Sequence, residues 1–163
     1  MSSLIGDESE GAVTKRMFLD NLRLIERLHR RLLDVIRNDL EEAGRNEINA
    51  VQALLIYNIG DSEMTAGELK TRGYYHGSNV SYNLKKLVEM GYLANKKAEH
   101  DKRSVRISVT EKGHHIVKLV DRMYDSHVQE ILEDEFFDMN DLKVLRRHLR
   151  NLERFWSDQL RFV

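Results

Sequence analysis

Between Gly77 and Leu93 the chain reads GSNVSYNLKKLVEMGYL, and six of its side chains can hydrogen-bond at the edge of a base pair: Ser78, Asn79, Ser81, Tyr82, Lys85 and Lys86. An Asn amide sets a donor beside an acceptor and pairs bidentately with adenine. A hydroxyl serves base edges and phosphates, and an ammonium reaches guanine or a phosphate oxygen. No catalytic partner accompanies them. A second group, Lys96, Lys97, Asp101, Lys102, Arg103 and Arg106, gathers around the polar turn HDKR. Asp101 and Arg103 stand one residue apart and share a side once a strand has begun, so that a contact between them would aim the guanidinium. An aimed Arg suits the negative potential of a minor groove.

Both groups fall in a cationic stretch. From Thr65 to Lys112 there are ten basic and five acidic residues, a net +5 that leaves −6 for the rest and is hidden by the formal net charge of −1. Such a local field attracts a polyanion even when the whole chain is nearly neutral.

These side chains need elements to hold them. Val80, Leu84, Leu87 and Val88 recur at the spacing of one apolar helical stripe that ends at Gly91, which turns the polar residues outward. Upstream, TAGEL predicts a capping box between Thr65 and Glu68 and a short helix to about residue 72. After Gly91 the period changes to two. YLANKKAE and SVRISVT flank HDKR as a two-stranded hairpin with a charged tip, Val105, Ile107 and Val109 alternating with Ser104, Arg106 and Ser108.

Longer helices flank this middle. Phe18, Leu22, Ile25, Leu28, Leu32, Val35, Ile36 and Leu40 predict one amphipathic helix over roughly 12–43, and Asn49 caps a second that stops before Gly60. Thr110 caps a helix with Ile116, Leu119, Val120, Met123, Val128 and Ile131 on its apolar side. A last helix from about Asn140 carries Leu142, Leu145, Leu149, Leu152 and Trp156 in a heptad-like seam. The absence of proline suits long helices.

Composition narrows the function classes. With 163 residues, 41% hydrophobic and 33% charged, the chain suits one compact protomer rather than a multi-domain enzyme. It has no cysteine, which removes disulfides, thiolate metal sites and thiol nucleophiles. No apolar run spans a bilayer and no secretory signal opens the chain, so the expectation is a cytoplasmic protein without membrane contact. There is no phosphate-cradling glycine loop or nucleophile elbow, and the cluster at His76, Tyr74 and Tyr75 reads as a packed turn. No enzyme, cofactor or catalytic residue is expected. His114, His115 and His127, with Glu111, Asp121 or Glu130, lie on one helix, but adjacent histidines point about 100° apart and make a poor metal site.

The stretch from Thr65 to Gly113 resembles the winged helix-turn-helix of the multiple-antibiotic-resistance regulator (MarR) family of bacterial transcription factors. TAGELK matches its first motif helix, NVSYNLKKLVEMGYL its recognition helix and following strand, DKR its Asp-x-Arg wing tip, and ISVTEKG its return strand. The sequence departs from the pattern at RGYYHG, where Gly73 stands for a core aliphatic and Tyr74 for a frequent glycine.

The resemblance implies a mainly α fold with a minor α+β part. A dimerisation helix would occupy 1–45, a winged helix-turn-helix lobe 46–112 and C-terminal dimerisation helices 113–163. It places Ser78, Asn79, Ser81, Tyr82, Lys85 and Lys86 at the major groove, and Arg103 in the minor groove supported by Asp101. The expected partners are a second copy, for which Leu152, Phe155 and Trp156 offer apolar surface, and double-stranded DNA with a roughly palindromic promoter site that is repressed or activated. The resemblance also implies a small aromatic or anionic effector near Leu33, Leu54, Tyr57 and Met64, residues whose default role is core packing. The alternatives are a winged-helix module for protein–protein contact and a metal-responsive regulator.

Overall fold

A computed structural model describes residues 9–72, 77–97, 105–135 and 137–160, without the side chains of 77 and 78. The chain forms two compact units, Met1–Val120 and Asp121–Val163. The elements in order are α1 (Glu10–Glu42), α2 (Ala50–Ile59), β1 (Met64–Thr65), α3 (Ala66–Thr71), α4 (Gly77–Glu89), β2 (Leu93–Lys97), β3 (Val105–Val109), α5 (Glu111–Glu133) and α6 (Met139–Leu160).

In the first unit the core collects one apolar face from each element. Ile36 and Leu40 come from the end of α1, Leu55, Ile56 and Ile59 from α2, Met64 from β1 and Leu69 from α3. Val80, Leu84 and Leu87 of α4 join them, with Tyr92, Leu93, Ile107, Ile116 and Val120; all are buried. The long stripe expected on α1 is thus covered only near its end, while Phe18 and Leu28 remain exposed.

Local sequence signals set the helix ends. Asn49 and Gln52 form a reciprocal capping box on α2, and Thr65 and Glu68 form another on α3. The Thr65 amide donates to Glu68 Oε2 at 2.7 Å, the largest reason the Glu68 carboxyl lies below its usual range. Helix α4 stops in a Schellman arrangement: the Gly91 amide donates to the Val88 carbonyl and the Tyr92 amide to that of Leu87, with Gly91 at φ +78°.

The sheet differs from the expected hairpin. It has three antiparallel strands in the order β1–β3–β2, because Met64 and Thr65 pair with Ile107 and Arg106. A two-residue strand carries no period, so sequence alone gave no sign of it.

Helix α5 starts on the turn that ends α4. The Thr110 hydroxyl accepts from the Gly113 amide and donates to the Gly91 carbonyl, while Lys112 donates to the Met90 carbonyl and stands 4.2 Å from the Tyr92 ring centre. A Cβ at Gly113 would fall on the Tyr92 carbonyl and the Val109 side chain, so only glycine permits this approach. The Tyr92 hydroxyl donates to Glu47. Burial, then this bond, pushes the phenol up to about 12; the same bond is the largest cause lowering Glu47.

The second unit contains the remainder of α5 and α6. Helix α6 is capped by Asp138 and Asp141, each accepting from the other's amide at 2.7 and 3.1 Å, two residues ahead of the expected start. None of its residues is buried; Leu142, Leu145, Leu149, Phe155, Trp156 and Leu160 are all exposed.

Candidate nucleic-acid interface

Helix α4 has one covered side and one open one. Val80, Leu84 and Leu87 dock against the core, and the helical period then leaves Asn79, Ser81, Tyr82, Lys85 and Lys86 exposed together, Tyr82 at 64%. Five of the six expected major-groove residues therefore share an open surface. Ser78 lies within α4, with its side chain outside the described residues. Lys86 stands 3.9 Å from Glu89, an exposed pair too weak to hold the ammonium away from a phosphate.

The face is divided in two. Ser81, Lys85 and Glu89 border a depression shared with Ala66 of α3 and with Asn95 and Ile107 of the sheet, so they face the base of the hairpin.

The hairpin cations fall into separate classes. Lys97 is exposed and has no partner among the described residues. Lys96 lies directly opposite Arg106 in the β2–β3 register, a like-charge pair that needs a counter-ion. Glu63 supplies it, with Oε1 3.6 Å from Lys96 Nζ and Oε2 3.7 Å from Arg106 Nε, while Arg106 Nη2 donates to the Glu63 carbonyl at 2.8 Å. Arg106 thus ties the sheet to the loop before α3, a role its position in the basic cluster did not suggest. The expected tip residues Asp101, Lys102 and Arg103 lie outside the described residues, as do Gly73, Tyr74, Tyr75 and His76.

Sequence reasoning also missed two residues behind the face. Asn83 is half-buried and bonded to Gln52 of α2, at 3.2 Å from its Nε2. Asn83 stands among the polar residues of α4, and nothing near it in sequence marks it as the one that turns inward toward Gln52.

The residues grouped for a ligand are separated by burial. Leu54 and Met64 belong to the core and Tyr57 is half-buried. Leu33 lies on α1 in a depression bordered by Arg27, Arg30, Arg31, Asp34 and Arg37. Among the described residues no group of three potential metal ligands occurs, and no helix is long and apolar enough to cross a membrane.

The winged helix DNA-binding domain family matches residues 48–113, which run from the start of α2 to the start of α5. The chain is 31% identical over 156 residues to the exopolysaccharide II synthesis transcriptional activator ExpG of Rhizobium meliloti, covering 96% of this chain and 80% of that protein. Its fold matches the transcriptional regulator SlyA with a TM-score of 0.72, at 20% identity over 88% of this chain and 99% of the other. FabT of Streptococcus pneumoniae in complex with DNA matches with a TM-score of 0.70, at 21% identity over 87% and 99% of the two chains. A mutant of MarR from E. coli complexed with operator DNA matches with a TM-score of 0.66, at 18% identity over 83% and 95%. With a winged-helix lobe, an open polar face on its second motif helix and a relative of this similarity over almost its full length, the chain belongs to the MarR family of DNA-binding transcriptional regulators.

Proposed function

We propose that this protein acts as a homodimer, reading promoter DNA with α4 in the major groove and the β2–β3 tip in the flanking minor groove. The observation that carries this reading is the open face of α4, where an amide, hydroxyls and ammonium groups stand together opposite the buried Val80, Leu84 and Leu87. A face meant only for solvation needs no such mixture; the usual choice is alternating Glu and Lys. In the same reading Asn79 and Ser81 contact bases, and Lys85, Lys86 and Lys97 contact phosphates. Arg103 enters the minor groove, and Arg106 and Lys96 support the hairpin through Glu63.

The apolar residues of α6 and of the first half of α1 support the dimer. Leu145, Leu149, Phe155 and Trp156 on one helix, and Met17, Phe18, Leu24 and Leu28 on the other, are each more than a third exposed, more apolar surface than a helix keeps wet without a partner. A two-fold pair of protomers sets two recognition helices about one DNA turn apart and therefore selects a near-palindromic site.

An effector acts on such a protein only by preferring one spacing of the recognition helices over the other. The arginines around Leu33 suit an anionic ligand with an apolar body. Thermal-shift screening with small aromatic acids, followed by DNA titration of each stabilising compound, tests this. Stabilisation without change in DNA affinity argues against an effector.

Selection of bound sequences from random DNA, followed by titration at several salt concentrations, tests the central reading. The expected result is a two-fold site and a log K that falls by about 0.9 per neutralised phosphate for each unit of log salt. A slope near zero would remove the electrostatic basis of the proposal.

A further inference from the structure

Among the described residues Gln52 is the one polar side chain in the buried core, at 6% exposure, and both atoms of its amide are engaged. Its Oε1 accepts from the Asn49 amide at 3.0 Å and closes the cap of α2; its Nε2 donates to Asn83 Oδ1 at 3.2 Å. Asn83 Nδ2 in turn donates to the carbonyl of Asn79 at 2.9 Å. A one-way chain of donors thus runs from a backbone N–H at the start of α2 to a backbone C=O in the first turns of α4. Because neither backbone group can exchange roles, each side-chain amide has a single permitted orientation. Bonds aligned in one direction also polarise and strengthen one another.

A comparison within the molecule isolates what Gln52 adds. The cap of α3 is closed in the same way by Glu68, an exposed residue. A carboxylate therefore suffices for a cap, and the feature that distinguishes Gln52 is its donor, aimed at a residue 31 positions away.

We infer that Gln52 is a positioning residue for sequence recognition: through Asn83 it holds the turn of α4 that presents Asn79, and so sets the base preference of Asn79. The inference rests on the reading of α4 as the recognition helix. Asn79 and Asn83 are one helical turn apart, and the N-terminal part of such a helix is the part that meets base edges. Removing the donor frees the Asn83 amide to turn over, and the turn carrying Asn79 loses its tie to the core.

The test is Gln52→Glu, which keeps the side-chain length and the cap acceptor while placing a carboxylate oxygen against Asn83 Oδ1. Asn83→Asp is its complement, since it still accepts from Gln52 but no longer donates to Asn79. Each full-length variant and the unaltered protein undergo random-DNA selection, then titration on a panel of single-base-pair changes at varied salt. The expected result for both variants is an unchanged salt slope and a discrimination reduced about tenfold at one base pair per half-site, the same pair that Asn79→Ala relaxes. In the Asn79→Ala background, Gln52→Glu should cause no further change there. Gln52→Met, similar in volume and uncharged, replaces Gln52→Glu if the buried carboxylate prevents folding. An unaltered base preference, with or without a uniform loss of affinity, overturns the inference and leaves Gln52 a structural residue. If the unaltered protein selects no sequence, the recognition-helix reading fails instead.

Discussion

Helices α4 and α6 are both amphipathic, yet they leave opposite sides uncovered. In α4 the apolar stripe of Val80, Leu84 and Leu87 is buried within its own unit, and the side left wet is amide, hydroxyl and ammonium. In α6 no residue is buried, and the side left wet includes Leu145, Leu149, Phe155 and Trp156. The chemistry of an uncovered side indicates its partner: directional groups match the edges and phosphates of a duplex, whereas apolar surface gains only by excluding water against another protein face.

The largest expected effect breaks the apolar half of this contrast. Leu149→Asp puts a charge in the proposed dimer seam, and DNA affinity should fall on the order of a hundredfold as protomers separate, because burying an unpaired carboxylate costs several kcal/mol. Sedimentation equilibrium and mobility shift read both consequences. A variant that stays dimeric would end the assignment of α6 as the dimer helix, and a monomer that binds as tightly as the unaltered protein would show that DNA binding does not need the dimer.

Next in size, Arg103→Ala should weaken binding by about 1–3 kcal/mol per protomer, if the hairpin tip contacts the duplex. Full affinity in a folded variant would confine recognition to the helix.

Asn79→Ala sharpens the polar half. It should relax the preference for one base pair by about 1–3 kcal/mol of discrimination, while the salt slope stays as it was because no phosphate contact is lost. A changed slope with intact preference would move Asn79 from base reading to backbone contact.

The smallest effect tests the joint behind α4. Tyr92→Phe should lower stability by about 1 kcal/mol near neutral pH, a modest value because the Glu47 partner is exposed. The sign with pH follows from the two shifts. Glu47 is depressed, so its share is present above the usual carboxylate value and lost as pH falls through the lowered one. Tyr92 is raised to about 12, so its share is present below about 10 and lost as pH rises toward 12. Urea titrations of both proteins across pH should therefore converge at acidic and at strongly alkaline pH. A constant difference across that range would show that the hydroxyl matters for packing and not for the bond to Glu47.

Much of this molecule was legible in order. Local rules are short-ranged, so Thr65 with Glu68, Asn49, Gly91 and Thr110 announced their caps, and the step from Val80 to Leu87 fixed which side of α4 turns outward. The alternation around Ile107 likewise showed the β2–β3 pair. Illegible were contacts between residues distant in sequence and alike in composition. Nothing near Glu63 predicts that it answers the charge of Lys96 and Arg106. Nothing near Gln52 predicts a bond to Asn83, and two residues, Met64 and Thr65, are too few to show a strand.

The amino-acid sequence by itself determined the order and type of the elements, the cationic middle and the polar side of α4, because each follows from periodicity, capping and charge within a few turns of chain. The tertiary structure alone decided which of the polar and charged groups are spent on holding the lobe together. Burial and hydrogen-bond partners are properties of neighbours in space, and the residues that supply them here lie 31, 43 or 45 positions apart.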